Sequence, residues 1–334
     1  MERQKVRTVQ AFALATLLVW MVGCAGGPEK QKRDGIGSTM SAAPDRPRAG
    51  GWQPVIGGAH DSAGYLVAFH LQERYDETFP DCRKDASDTN PMPAVLCSGI
   101  LLRTVKRGAG FDVWNPNPNN PQPNGVSFSW LRKDTGIKGL AWGNGSGFII
   151  LPHFYADDPV DAYTQLIVLC AFPVDGWTNF RESAEKDGCG ASPGLAGTGP
   201  CQAQGILTSA QWMARFGSGG LNGNQCGFSL KPGTAGAYQA FAQISIIRGA
   251  IGVGAFNYQN EIMVGTWAQN DAHIPLEAFF YQPGFATALS ESKLNQRDFH
   301  ARTGRWVPVI RVTLPTVPNG PAAFAFSPVD QDIP

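Results

Sequence analysis

Three short pieces of this chain carry residue types that together could open a glycosidic bond in a ligand bearing a diphosphate. They are Arg103, closing the run Cys97-Ser98-Gly99-Ile100-Leu101-Leu102-Arg103, then Ser127-Phe128-Ser129, and finally Gln259-Asn260-Glu261. A guanidinium offers a planar fork of donors that fits a pyrophosphate bidentately. A carboxylate can stabilise the cationic ribosyl centre that develops as a base departs. Each piece alone also fits a plain structural role: Arg103 as a strand-end charge, the serines as the wet face of a strand, and Glu261 as the first residue of one.

Strands must position all three pieces. Residues 95–104 read as a strand ending near Arg103, and 125–131 alternates apolar and polar side chains, the mark of a half-buried strand. Between them Trp114-Asn115-Pro116-Asn117-Pro118-Asn119-Asn120-Pro121 has too many prolines for regular structure. Residues 261–267 and 276–281 read as neighbouring strands, and 147–151, 165–172 and 307–314 as further strands. Helices are expected over 63–77, where Leu66 and Phe69 stand three apart, and over 235–248. Another opens at the Thr208-Ser209-Ala210-Gln211 capping box, and one over 286–302 is stopped by Gly304. Residues 173–205 read as a cross-linked loop outside the core. Helices and strands mix without regular alternation, which favours an α+β fold around a mixed or antiparallel sheet.

Several common chemistries lack their signatures. Gly143-Asn144-Gly145-Ser146-Gly147 has the wrong residue for a nucleophile elbow, and there is no H-E-x-x-H, phosphate-binding loop or dinucleotide glycine fingerprint. Formal net charge is zero and only 16% of residues are charged, so no electrostatic footprint for nucleic acid exists. Lesser candidates remain. Trp114, Trp130 and Trp142 with Asn115 and Asn144 could line a sugar or peptide groove, or simply pack the core. His153 with Asp157 and Asp158 could form an acid/base or metal pair, or be structural. His300 and Asp298 are two apart and do not share a helix face. Glu277 is a second carboxylate that strand pairing could bring near Glu261. No bound metal or permanent cofactor is expected.

The beginning of the chain reads as an export signal. Glu2-Arg3-Gln4-Lys5-Val6-Arg7 is net positive and residues 9–22 are largely apolar. Met21-Val22-Gly23-Cys24 resembles the bacterial lipobox, which implies a signal peptide over 1–23, lipidation of Cys24 and, with Ala25 following, an outer-membrane or surface location. Residues 24–62, rich in Gly, Pro, Lys, Arg and Ser, read as a flexible tether, and 63–334 as one domain. The other cysteines are Cys82, Cys97, Cys170, Cys189, Cys201 and Cys226, an even number in an exported chain, which predicts disulfides. Cys82 with Cys97, separated by a short polar loop, is the most natural single pair.

With these motifs in view, the chain resembles the arginine/serine/glutamate class of ADP-ribosyltransferases and NAD glycohydrolases. In that class an arginine ends an early strand, a serine-rich strand follows, and a late Gln-x-Glu or Glu-x-Glu carries the catalytic glutamate. A broader resemblance, over about 63–331, is to halovibrin-like exported bacterial proteins. It rests on Cys97-Ser98-Gly99, Trp114-Asn115-Pro116, Gly125-Val126-Ser127-Phe128-Ser129, Leu131-Arg132-Lys133-Asp134, Gln259-Asn260-Glu261, Thr266-Trp267-Ala268-Gln269, Glu277-Ala278-Phe279-Phe280-Tyr281 and Gln296-Arg297-Asp298-Phe299. The resemblance implies an ADP-ribosyltransferase-like fold and cleavage of NAD, with ADP-ribose passing to water or a protein acceptor. It also implies that Glu261 is the catalytic carboxylate, that Gln259 orients the acceptor, that Arg103 binds the pyrophosphate, and that Ser127 or Ser129 holds the glutamate or the nicotinamide ribose in place. Related modules on adhesin-like surface proteins imply the alternative, a non-catalytic lipoprotein that binds a host or envelope partner.

Overall fold

The computed structural model describes residues 60–76, 99–105, 114, 125–140, 144–150, 168–174, 189, 199–217, 225–230, 236, 240–265 and 276–333. All of them fall in the unit Gly51–Pro334. The expected signal, Cys24, most of the tether, Cys82 and Cys97 lie outside the described residues.

The described strands are β1 (Ile100–Thr104), β2 (Gly125–Leu131), β3 (Ser146–Ile150), β4 (Val168–Phe172), β5 (Phe228–Ser229), β6 (Glu261–Gly265), β7 (Leu276–Tyr281), β8 (Val309–Thr313) and β9 (Ala323–Phe326). They form one nine-stranded sheet in the order β5-β4-β6-β2-β1-β3-β7-β8-β9. Neighbours are antiparallel except β7 and β8. That parallel pair needs a crossover, and the helix α5 (Ala288–Thr303) supplies it. Gly304, at φ 70°, ends α5 in the left-handed region where a side chain would be strained.

The architecture is therefore α+β with a mixed sheet, but one expected adjacency is corrected. β6 pairs with β2 and β4, and β7 with β3 and β8, so β2, β1 and β3 lie between the two strands read as neighbours. Apolar alternation identifies strands without saying which of them pair.

Central strands are buried on both faces, and successive side chains feed two cores. Leu101, Phe128, Trp130, Phe148, Ile262 and Phe279 pack with Trp212 of α2 (Ser209–Phe216), Ile244 and Ile247 of α3 (Ala240–Ile251), and Phe299 of α5. Ile100, Leu102, Ile149, Phe280 and Ile310 pack on the other face with Ala68, Leu71 and Tyr75 of α1 (His60–Asp76). The described helix thus starts three residues before the expected domain start at 63.

Helix α1 corrects a second expectation. Its buried stripe is Gly64, Ala68, Leu71 and Tyr75, spaced as a helix face requires. Leu66 and Phe69 are instead 54% and 56% exposed. Gly64 decides the orientation: a Cβ there would stand 2.2 Å from the Phe326 ring, so only glycine lets α1 approach β9 this closely. The capping box at α2 forms as read, with Thr208 and Gln211 satisfying each other's backbone donors.

Cys201 and Cys226 form a disulfide that ties a 3-10 turn, Cys201–Gln204, to the chain just before β5. Both cysteines are fully buried in the core around Trp212. Cys189 is also fully buried, so the cysteines of the 173–205 segment belong to the interior rather than to an outlying loop. Cys170 and Cys189 share a small cluster with Phe172 and Met263.

Candidate functional site

Strands β2 and β6 run side by side, with Ser127 opposite Met263 and Phe128 opposite Ile262. Phe128 and Ile262 both enter the core shared with α2, α3 and α5. Strand alternation therefore turns Ser127, Ser129 and Glu261 to the other face. There the Ser127 hydroxyl donates to Glu261 Oε1 at 2.5 Å. Glu261 has no exposed surface, and a buried carboxylate must find donors. One step along, the Ser129 hydroxyl donates more loosely to Gln259 Oε1, at 3.4 Å.

Between these two contacts sits Asn260, whose role the sequence did not suggest. Its Oδ1 accepts from the Trp130 N–H and its Nδ2 donates to the Trp130 carbonyl, both at 2.7 Å. The side-chain amide thus acts as one more rung of the β2–β6 ladder and fixes Gln259 and Glu261 against the two serines.

Arg103 reaches this cluster from the side. The β1–β2 ladder runs from Ile100 opposite Leu131 to Leu102 opposite Ser129, whereas β1 follows β3 as far as Thr104 opposite Gly147. Where β1 and β2 part, Arg103 Nη1 donates to the Ser127 carbonyl at 2.8 Å. Arg103 leaves β1 on the side of Leu101 and Val105, both in the core opposite the serine face. Its approach is through the backbone of Ser127, and only 6% of its surface is exposed. Burial lowers the guanidinium to about 10, which leaves it cationic at neutral pH.

Two arginines without a site signature in the sequence support these strand ends. Arg132, fully buried, stacks over the Trp130 ring at 4.9 Å and pairs with Asp134. Arg248 on α3 donates only to backbone carbonyls among its described contacts, from Thr135, Gly136, Pro173, Ala255 and Tyr258. From its position in the last turn of a helix it reads simply as a C-terminal helix charge.

Other candidates lie elsewhere. Glu277 on β7 is held by Arg74 Nη2 at 2.6 Å, with three strands between it and β6, so it is no partner for Glu261. Trp114 and Trp130 are fully buried rather than lining a groove. Trp114 donates to Asp298 at 3.0 Å and meets the Phe299 ring edge-on at 5.0 Å. Asp298 also pairs with Arg302 at 3.3 Å, and the Asn144 carbonyl accepts from Gln282 at 3.3 Å. Asn115, Trp142, His153, Asp157 and Asp158 lie outside the described residues.

Chemically, the cluster holds a carboxylate fixed by a hydroxyl, an amide beside it, and a cation linked through one shared residue. No protein-family model, curated protein or solved structure matches the chain.

Proposed function

We propose that the protein cleaves the bond between nicotinamide and ribose in NAD, as a glycohydrolase or an ADP-ribosyltransferase. The observation that carries this reading is the hydrogen-bonded succession Arg103, Ser127, Glu261. Pieces 24 and 134 residues apart meet in the order implied by the arginine/serine/glutamate resemblance, on adjacent strands β1, β2 and β6. An ADP-ribosyltransferase-like fold is part of the same proposal.

In this mechanism Glu261 stabilises the positive charge that develops at ribose C1′. The bond from C1′ to the nicotinamide nitrogen breaks with its electron pair, and nicotinamide departs neutral. An acceptor oxygen of water, or a nucleophilic atom of a protein side chain, bonds to C1′ and releases its proton to solvent. Gln259 orients the acceptor, Ser127 aims the carboxylate, Ser129 steadies Gln259, and Arg103 holds Ser127 from the opposite face through its backbone carbonyl. Because Glu261 is buried, ribose binding must displace the groups that cover it. NAD is substrate here, not resident cofactor. Export, attachment through a lipid on Cys24 and an envelope or surface location belong to the same reading.

The test is nicotinamide release from NAD by the purified oxidised protein beside Glu261→Gln. Release by the parent that collapses in the variant supports the reading, and no release by a folded parent removes it.

A second reading, a surface-binding lipoprotein, draws on a specific feature. Tyr65, Leu66 and Phe69 form a contiguous apolar patch on α1, each more than half exposed. Under that reading Tyr65→Ser with Phe69→Ser abolishes attachment to host or envelope material, and Glu261→Gln leaves it intact.

A further inference from the structure

We infer that Arg248 is the positioning residue that sets Gln259-Asn260-Glu261 against Ser127 and Ser129. Its catalytic consequence rests on the NAD-cleaving reading, but its geometric consequence does not.

The guanidinium of Arg248 is buried in the angle between three segments. Nε donates to the Thr135 carbonyl at 3.1 Å and Nη1 to the Pro173 carbonyl at 2.7 Å. Nη2 is shared among Gly136 at 3.1 Å, Ala255 at 3.0 Å and Tyr258 at 3.0 Å. Thr135 and Gly136 lie on the chain leaving β2, Pro173 directly follows β4, and Ala255 and Tyr258 lie on the chain running into β6. These are three adjacent strands, in the order β4-β6-β2. One side chain therefore fastens the ends of all three strands at the edge where Phe172 faces Glu261.

The contact to Tyr258 is the most informative. Tyr258 is the residue immediately before Gln259 and is 47% exposed, so packing holds it weakly. Its backbone is held instead, by Arg248 at the carbonyl and by the Ala255 carbonyl at its N–H, 3.0 Å. Lys138 adds a cross-tie, its N–H donating to the Phe256 carbonyl at 2.9 Å. Carbonyls on irregular backbone have no ladder partner, and burying them unpaired is costly. A planar fork is what this arrangement needs, because lysine's three donors radiate from one nitrogen and cannot span separate segments. Desolvation lowers the Arg248 guanidinium to about 9, which still leaves it charged at neutral pH.

The experiment compares the full oxidised chain with Arg248→Lys, which keeps the charge but loses the fork, and Arg248→Met, which keeps the stem alone. Amide hydrogen exchange is read over residues 255–261, with α1 and β7–β9 as internal reference. In parallel, kcat and KM for NAD cleavage are measured, with and without added guanidinium ion. The expected result is faster exchange over 255–261 and at the tied ends around 135–136 and 174 in both variants, with α1 and β7–β9 unchanged. In an active protein, kcat falls about 100-fold, the usual cost of an ångström-scale misplacement, KM stays nearly constant, and guanidinium partly restores Arg248→Met. Exchange that stays slow over 255–261, or that rises equally throughout the chain, overturns the inference. Unchanged kcat in an active variant does so too. If the parent cleaves no NAD, the functional reading fails while the exchange comparison still decides the positioning role.

Discussion

Ser127 and Glu261, far apart in sequence, meet across 2.5 Å on adjacent strands, with the hydroxyl donating to a carboxylate that no solvent reaches. Removing either partner has different consequences. Glu261→Gln is expected to lower nicotinamide release by about 100- to 1000-fold, the scale for losing a preorganised charge stabiliser. Ser127→Ala leaves the carboxylate short of a donor, with a smaller loss of rate and about 1 to 3 kcal/mol of stability, read from urea unfolding.

Asn260 gives a separable prediction, because its amide completes both backbone groups of Trp130. Asn260→Ala is expected to cost about 2 to 4 kcal/mol, since two buried groups lose partners together. Asn260→Asp should be worse than a lost hydrogen bond alone, since its carboxylate would face the Trp130 carbonyl. Chemical denaturation of the two variants in parallel checks the ranking.

The Cys201–Cys226 bond closes a loop with a sequence separation of 25. Chain-entropy reasoning assigns about 3.5 kcal/mol to such a closure. Thermal unfolding of a Cys201→Ser, Cys226→Ser double variant should show that loss, with the ordered core around Trp212 loosening first. Trp212 donates to the Cys226 carbonyl at 3.4 Å, so the rung it shares with the bridge weakens as well.

Alkaline stability should depend on Tyr75. Its hydroxyl donates to the Gly320 carbonyl at 2.6 Å, and burial first, then Asp76 and Asp134, raise it from 10.0 to about 12. The folded state thus keeps a proton that the unfolded state releases. Its contribution is complete below pH 10 and is lost as pH rises from there through about 12. Unfolding free energy measured across that window should fall with pH in the parent and more gently in Tyr75→Phe. Absorbance of tyrosinate locates the transition.

Much of the local structure was legible in consecutive residues. The alternation of 125–131 matches β2, and the capping box at Thr208 and the stop at Gly304 act where they were read. β9, short and alternating Ala323-Phe324-Ala325-Phe326, passed without a signal strong enough to separate it from a turn-rich tail. The candidate triplet was legible as residue types, but Asn260 and Arg248 were not. Both act on backbone groups, and an acceptor carbonyl leaves no trace in the sequence.

What the sequence by itself determined was the α+β class and the periods of its segments, because pleat, helix turn and cap are chemistry between near neighbours in the chain. Tertiary structure decided that β6 lies against β2 rather than β7 and that Leu66 and Phe69 face solvent while Trp114 and Trp130 do not. It also decided that Cys201 finds Cys226. Those outcomes depend on which distant surfaces bury one another best after loop closure, a sum over the whole chain that no short window of residues contains.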